Sequence, residues 1–114
     1  MSTPSADLMF KAFADRTRLR ILHLLRQREM CVGDLVKILR VPQPKASRHL
    51  TYLKRSRLVV SRQDGLWRFY SLTPQRGKLH RRLLDCLDTC FADVPEIKAD
   101  ESRAKALAKS GGCC

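Results

Sequence analysis

The chain has 114 residues, with 44% apolar and 30% charged, which excludes a disordered chain and a multidomain assembly and leaves one small globular unit. Lys and Arg outnumber Asp and Glu by 23 to 11, a net charge of +12, which points to a polyanionic partner such as nucleic acid. No apolar run approaches membrane-spanning length and the start MSTPSADLMF has no signal-peptide core, so the expectation is a cytoplasmic protein with no membrane partner.

Leu8, Phe10 and Phe13 suggest a first helix after Pro4. Asp15 is placed to cap a second, RTRLRILHLLRQ, in which Leu19, Ile21, Leu22 and Leu25 recur at helical spacing. Arg16, Arg18, Arg20 and Arg26 fall mostly off that stripe and read as a solvated face. EMCV, residues 29–32, is a brief strand or an extended link. Gly33-Asp34 opens a short third helix with Leu35, Val36, Ile38 and Leu39, and Val41-Pro42 ends it because the residue before proline avoids the helical region.

The fourth helix, QPKASRHLTYLKRS, is the most informative. At about 100° per residue, Ala46, Leu50 and Leu53 form one narrow apolar stripe, with Lys45, Arg48, Thr51, Tyr52 and Arg55 opposite and Ser47 and His49 flanking. A thin core face with a basic, hydrogen-bonding outer face is what reading a major groove needs. Residues 58–72 then favour a two-stranded hairpin turned at Asp64-Gly65, with Arg62 and Arg68 near its tip. Thr73-Pro74 marks the start of a fifth helix carrying Leu79, Leu83, Leu84, Leu87 and Phe91. Pro95 breaks it, and a last short helix is expected from about Ala99 to Ala108, before Ser110-Gly111-Gly112 and the terminal Cys113-Cys114.

This order predicts a mainly α protein with a small β-hairpin, a winged helix-turn-helix. Residues 1–94 form the DNA-binding and dimerisation domain, and 95–114 a C-terminal helix and cysteine tail. Gln43, Lys45, Ser47, Arg48 and His49 are the candidate readers, with Arg48 for a base edge or phosphate and Gln43 able to pair with adenine. Lys45, Arg62 and Arg68 suit phosphates. No phosphate loop, nucleophile elbow, zinc-protease motif or C-x-x-C pair is present, and no base is paired with a thiol, so an enzyme is not expected.

The stretches KAFADRTRLRILHLLRQREMCVGDLVKIL, QPKASRHLTYLKRSRLV and DGLWRFYSLTP resemble the ArsR/SmtB family of metal-responsive repressors, over roughly residues 7–92. The combination of ADRTRLRIL, E-x-C-V-x-D-L and SRHL with the DGLWRFY wing is far more specific than any one of them. The resemblance implies a homodimer, joined through its first and fifth helices, that binds operator DNA and releases it when a metal or metalloid binds. Two departures stand out. Arsenic-responsive members often carry C-V-C where this chain has Cys31-Val32-Gly33, so that site does not transfer. The usual capping Ser before the recognition helix is Pro42 here. The zinc-type ligand pattern is matched weakly by His80, Asp85 and Asp88.

Five cysteines, an odd number in a chain expected to be cytoplasmic, argue against a disulfide framework and for thiols that bind or react. Trivalent arsenic or antimony as inducer is soft and selects thiolates, three in a pyramid. Cys86 and Cys90 share one face of the fifth helix, in an apolar stripe where cysteine is also a common core residue. Cys113 and Cys114 are expected to supply two ligands and Cys90 or Cys86 the third, with Cys31 a buried remnant of little consequence. The alternative is a thiol-based redox-sensing repressor of the same fold, and a thiol carrier delivering metalloid to a pump is disfavoured by the basic helix and wing.

Overall fold

The computed structural model describes residues 5–75, 77–91 and 93–109. Their elements run α1 (Ala6–Phe13), α2 (Arg16–Gln27), β1 (Met30–Cys31), α3 (Val32–Leu39), α4 (Gln43–Arg55), β2 (Val59–Asp64), β3 (Trp67–Leu72), α5 (Gly77–Thr89) and α6 (Pro95–Lys109). Helices α3 and α4 are the helix-turn-helix and β2–β3 is the wing. The sequence-based architecture therefore holds.

Helix α2 starts where Asp15 accepts the Arg18 amide at 3.0 Å, as expected of a capping aspartate. Partial burial works to raise the Asp15 carboxyl. The Arg18 amide, the His49 ring and the Arg18 charge outweigh it and hold the group below its ordinary value. Within the EMCV segment only Met30–Cys31 is a strand: β1 pairs antiparallel with β3, Met30 opposite Tyr70, making a three-stranded sheet of order β1-β3-β2. The wing closes with Asp64 opposite Trp67, so the turn residues are Gly65-Leu66. Gly65 takes φ +62°, the conformation a two-residue hairpin turn asks of its first position.

Three boundaries differ from expectation. The third helix begins at Val32, with Cys31 as its cap. Thr73 does not cap α5. It is buried, and its amide bonds the Leu58 carbonyl at 3.0 Å, closing the base of the hairpin. Pro95 does not merely stop a helix but opens α6 at its first position, where a missing N–H costs nothing.

The core is one cluster, built from Met9, Ile21, Leu22, Leu24, Leu35, Ile38, Leu50, Leu53, Leu58, Leu84 and Leu87, every one essentially inaccessible. Helix α2 is its axis: residues 21–25 are buried without a break, His23 included. The arginines of α2 are not the solvated face the pattern suggests. Arg16 pairs with Glu96, Arg20 with Asp100, and Arg26 with both Asp85 and Asp88. Arg18 caps the end of α1 through the Ala12 and Lys11 carbonyls, at 3.0 and 2.9 Å, and lies 4.0 Å over the Tyr52 ring of α4. Helix α6 folds back against α2 and α3. There, fully buried Asp100 takes both Arg20 and Arg103.

Candidate nucleic-acid interface and thiol pair

The first turn of α4 lacks a side-chain cap, since Pro42 has no acceptor. Two of its amides are nonetheless paired within the turn. The Pro42 carbonyl receives both Lys45 and Ala46, at 3.0 and 3.1 Å, and Pro44 has no N–H to satisfy. Two prolines thus replace the missing serine.

Helix α4 buries Ala46, Leu50 and Leu53 and leaves Gln43, Lys45, Arg48, Thr51 and Arg55 exposed. Ser47, Arg48, Thr51, Tyr52 and Arg55 line a shallow depression of about 300 Å³ on the outer face. Ser47 is half-buried at its edge. His49 points elsewhere. Its Nδ1 lies 3.9 Å from the Asp15 carboxylate, and burial pushes its pKa down despite that neighbour. The wing arginines are held by the protein itself. Arg62 makes a two-pronged bond to Glu29 at 2.8 and 2.6 Å and covers the Phe69 ring, while Arg68 bonds Ser61 and Gln63. The Arg62 fork in turn keeps the Glu29 carboxyl below its usual range. Leu66, at the wing tip, is 95% exposed.

On α5 the Cys86 and Cys90 thiols meet one turn apart, with Cys86 half-buried and Cys90 exposed. The hydrogen bond between them raises Cys86 and lowers Cys90, and Thr89 lowers Cys90 further. Cys90 is therefore the readier thiolate. Cys31 is disulfide-bonded, against the expectation that the cysteines are all thiols, and it is buried, its sulfur accepting the Asp34 amide at 3.4 Å. It is buried as expected and also caps α3. Cys113 and Cys114 lie outside the described residues. Among the described residues no three His, Cys, Asp or Glu side chains gather as a metal site. The weak zinc pattern is dispersed: His80 is buried, its pKa lowered by burial, and Asp85 and Asp88 face Arg26. Nothing in the local pattern could have revealed the Arg26 contact, whose partners are about sixty residues away.

A basic helix presented by a helix-turn-helix, with a wing beside it, defines a DNA-binding transcriptional regulator and not an enzyme. The profile of the arsR family of bacterial regulatory proteins matches residues 15–61. The chain is 44% identical over 78 residues to the HTH-type transcriptional regulator MJ1325 of Methanocaldococcus jannaschii, 68% of this chain and 88% of that one. It is 42% identical over 78 residues to the arsenical resistance operon repressor of Escherichia coli, 68% of this chain and 67% of the relative. The solution structure of the homodimeric winged helix-turn-helix DNA-binding domain of Mb0332 from Mycobacterium bovis superposes with a TM-score of 0.64 at 29% identity, covering 76% of this chain and 78% of that one. The chain belongs to the ArsR family. No helix among the described residues is long and apolar enough to cross a membrane.

Proposed function

We propose that the protein is a homodimeric repressor of a metalloid-resistance operon, released from its operator when trivalent arsenic or antimony binds cysteine thiolates. The Cys86–Cys90 pair carries this reading: two adjacent thiols, one exposed and biased toward the thiolate, form two corners of a soft-ion site. Similarity to the Escherichia coli arsenical resistance operon repressor supports the same input. Cys113 or Cys114 supplies the third sulfur, in place of the two tail ligands and one α5 ligand expected from the sequence. Gln43, Lys45, Ser47 and Arg48 meet the operator, and Arg62 and Arg68 reach phosphates once they leave their partners on the protein. Exposed Leu8, Phe10 and Leu79 support pairing through α1 and α5, which otherwise leave these apolar side chains in water.

The coupling has a physical route. Asp85 and Asp88 interleave with the two thiols on α5, and Arg26 of α2 grips both carboxylates. Further along α2, Arg18 buttresses Tyr52 of α4. An ion that draws the α5 sulfurs together shifts that grip, and if bound ion lowers DNA affinity by some factor, bound DNA must by linkage lower ion affinity by the same factor.

Operator binding measured by fluorescence anisotropy under reducing conditions, titrated with antimonite, arsenite, zinc and cadmium, tests this. Trivalent metalloids release the wild type but not Cys90→Ser, and Cys113→Ser/Cys114→Ser is released weakly or not at all. Unchanged response in both variants overturns the site. The disulfide at Cys31 favours a second reading, in which oxidation is the input. Release by peroxide with no metalloid retained would select it.

A further inference from the structure

We infer that α6 is a strut for the helix-turn-helix, and that Arg103 and Asp100 are positioning residues for operator recognition. The inference rests on the DNA-binding role of the fold and not on the metalloid input.

A helix ends with carbonyls that its own backbone cannot pair. At the end of α3, the Val36 carbonyl is taken by the Arg40 amide, where Arg40 turns the chain with φ 57° toward α4. The last two carbonyls of α3, those of Ile38 and Leu39, receive guanidinium groups from outside. Arg103 of α6 donates through Nε to Ile38, and Arg20 of α2 donates through Nη2 to Leu39 at 2.9 Å. One carboxylate aims both. Asp100 Oδ1 receives Nη2 of Arg20 and Nη2 of Arg103, each at 2.9 Å, and Oδ2 receives Nε of Arg20 at 2.8 Å. Asp100 is wholly inaccessible, so its charge is tolerated only while both cations are seated.

The two cations also sit where the helix dipole is negative, which favours them there. Three residues after Leu39 comes Pro42, whose carbonyl starts the recognition helix. Docking α6 and fixing the α3–α4 turn are therefore one event. Lifting α6 strips Ile38 of its donor and leaves Asp100 with one guanidinium instead of two. The angle between α3 and α4 then loses its outside constraint. Arg103 touches no DNA-facing residue in this account and acts only through the turn.

Arg103→Lys is the decisive variant because it keeps the charge and loses the planar fork, so one ammonium cannot serve both Ile38 and Asp100 in the same geometry. The full-length chain would be titrated with an operator fragment selected from a random duplex pool and, separately, with random-sequence duplex at the same salt. Operator affinity is expected to fall roughly tenfold, the scale of one charge-assisted hydrogen bond. Affinity for random duplex should stay within about twofold, since it follows the unchanged charge. Faster hydrogen exchange at the Arg40 amide should accompany the loss. Operator affinity equal to wild type, or operator and random-duplex affinities falling together, overturns the inference. Asp100→Asn, which is isosteric but adds one unit of net positive charge, should lower operator affinity while random-duplex affinity holds or rises, and its thermal midpoint reports separately on any loss of folded protein.

Discussion

Helices α2 and α4 carry similar amounts of positive charge and use it in opposite ways. On α2, Arg16, Arg20 and Arg26 each find carboxylates on α5 or α6, and Arg18 is spent on backbone carbonyls and an aromatic ring. On α4, Lys45, Arg48, Lys54 and Arg55 are exposed, and none has a carboxylate within salt-bridge reach among the described residues. A basic residue that the fold has already neutralised holds the molecule together. One left unneutralised on a rigid helix is available to an external polyanion. The comparison supports α4 as the proposed DNA face by electrostatics as well as by shape.

Substitutions can sharpen that contrast or break it. The largest effect is expected inside the paired set. Asp100→Ala leaves Arg20, 12% exposed, without its partner and should cost about 3–5 kcal/mol of stability by chemical denaturation. Next comes the unpaired set, where Arg48→Ala should leave the denaturation midpoint unmoved and cost about 1–3 kcal/mol of operator affinity. If Arg48→Ala destabilised the fold instead, the division between the two helices would collapse. Arg26→Ala should cost only about 0–1 kcal/mol, since Asp85 and Asp88 are 56% and 41% exposed. A smaller effect again comes from Lys45→Ala, which should reduce the slope of log affinity against log salt by about one if Lys45 meets a phosphate.

The pH response adds a check on the packing beneath the interface. His80 and His49 are both pushed down in the folded protein, burial being the main cause in each. Between the ordinary histidine value of 6.5 and their lowered folded values, the unfolded chain binds more protons than the folded one. Stability is therefore full above that window and falls as pH drops through it. His80→Leu should flatten the dependence of thermal midpoint on pH below 6.5, and an unchanged slope would contradict the burial account.

What could be read beforehand follows the range of the interactions. The recognition helix was legible because its stripe and its basic face repeat within three or four residues. The wing was legible from β-branched and aromatic residues around a glycine turn. The fate of the α2 arginines was not, because Arg16 and Arg20 meet partners eighty residues away and no local period encodes that. Pro95 was misplaced because one residue type serves as a stop and as a start. Of the candidate site, the exposed positions of Gln43, Lys45 and Arg48 follow from the helical wheel. The turn of His49 toward Asp15 and the capture of Arg62 by Glu29 depend on neighbours brought in by the fold.

The prolines flanking Gln43 have a consequence for how the protein chooses its operator. Pro42 and Pro44 lock φ on either side of Gln43, the residue proposed to read the operator. The reading end of the helix is thus already ordered before DNA arrives, and little chain entropy is lost on contact. The same stiffness denies it any second conformation. If Gln43 meets a base as proposed, a change of that base cannot be absorbed by local refolding, and its cost should appear undiminished as faster dissociation, discrimination being gained by giving up adaptability.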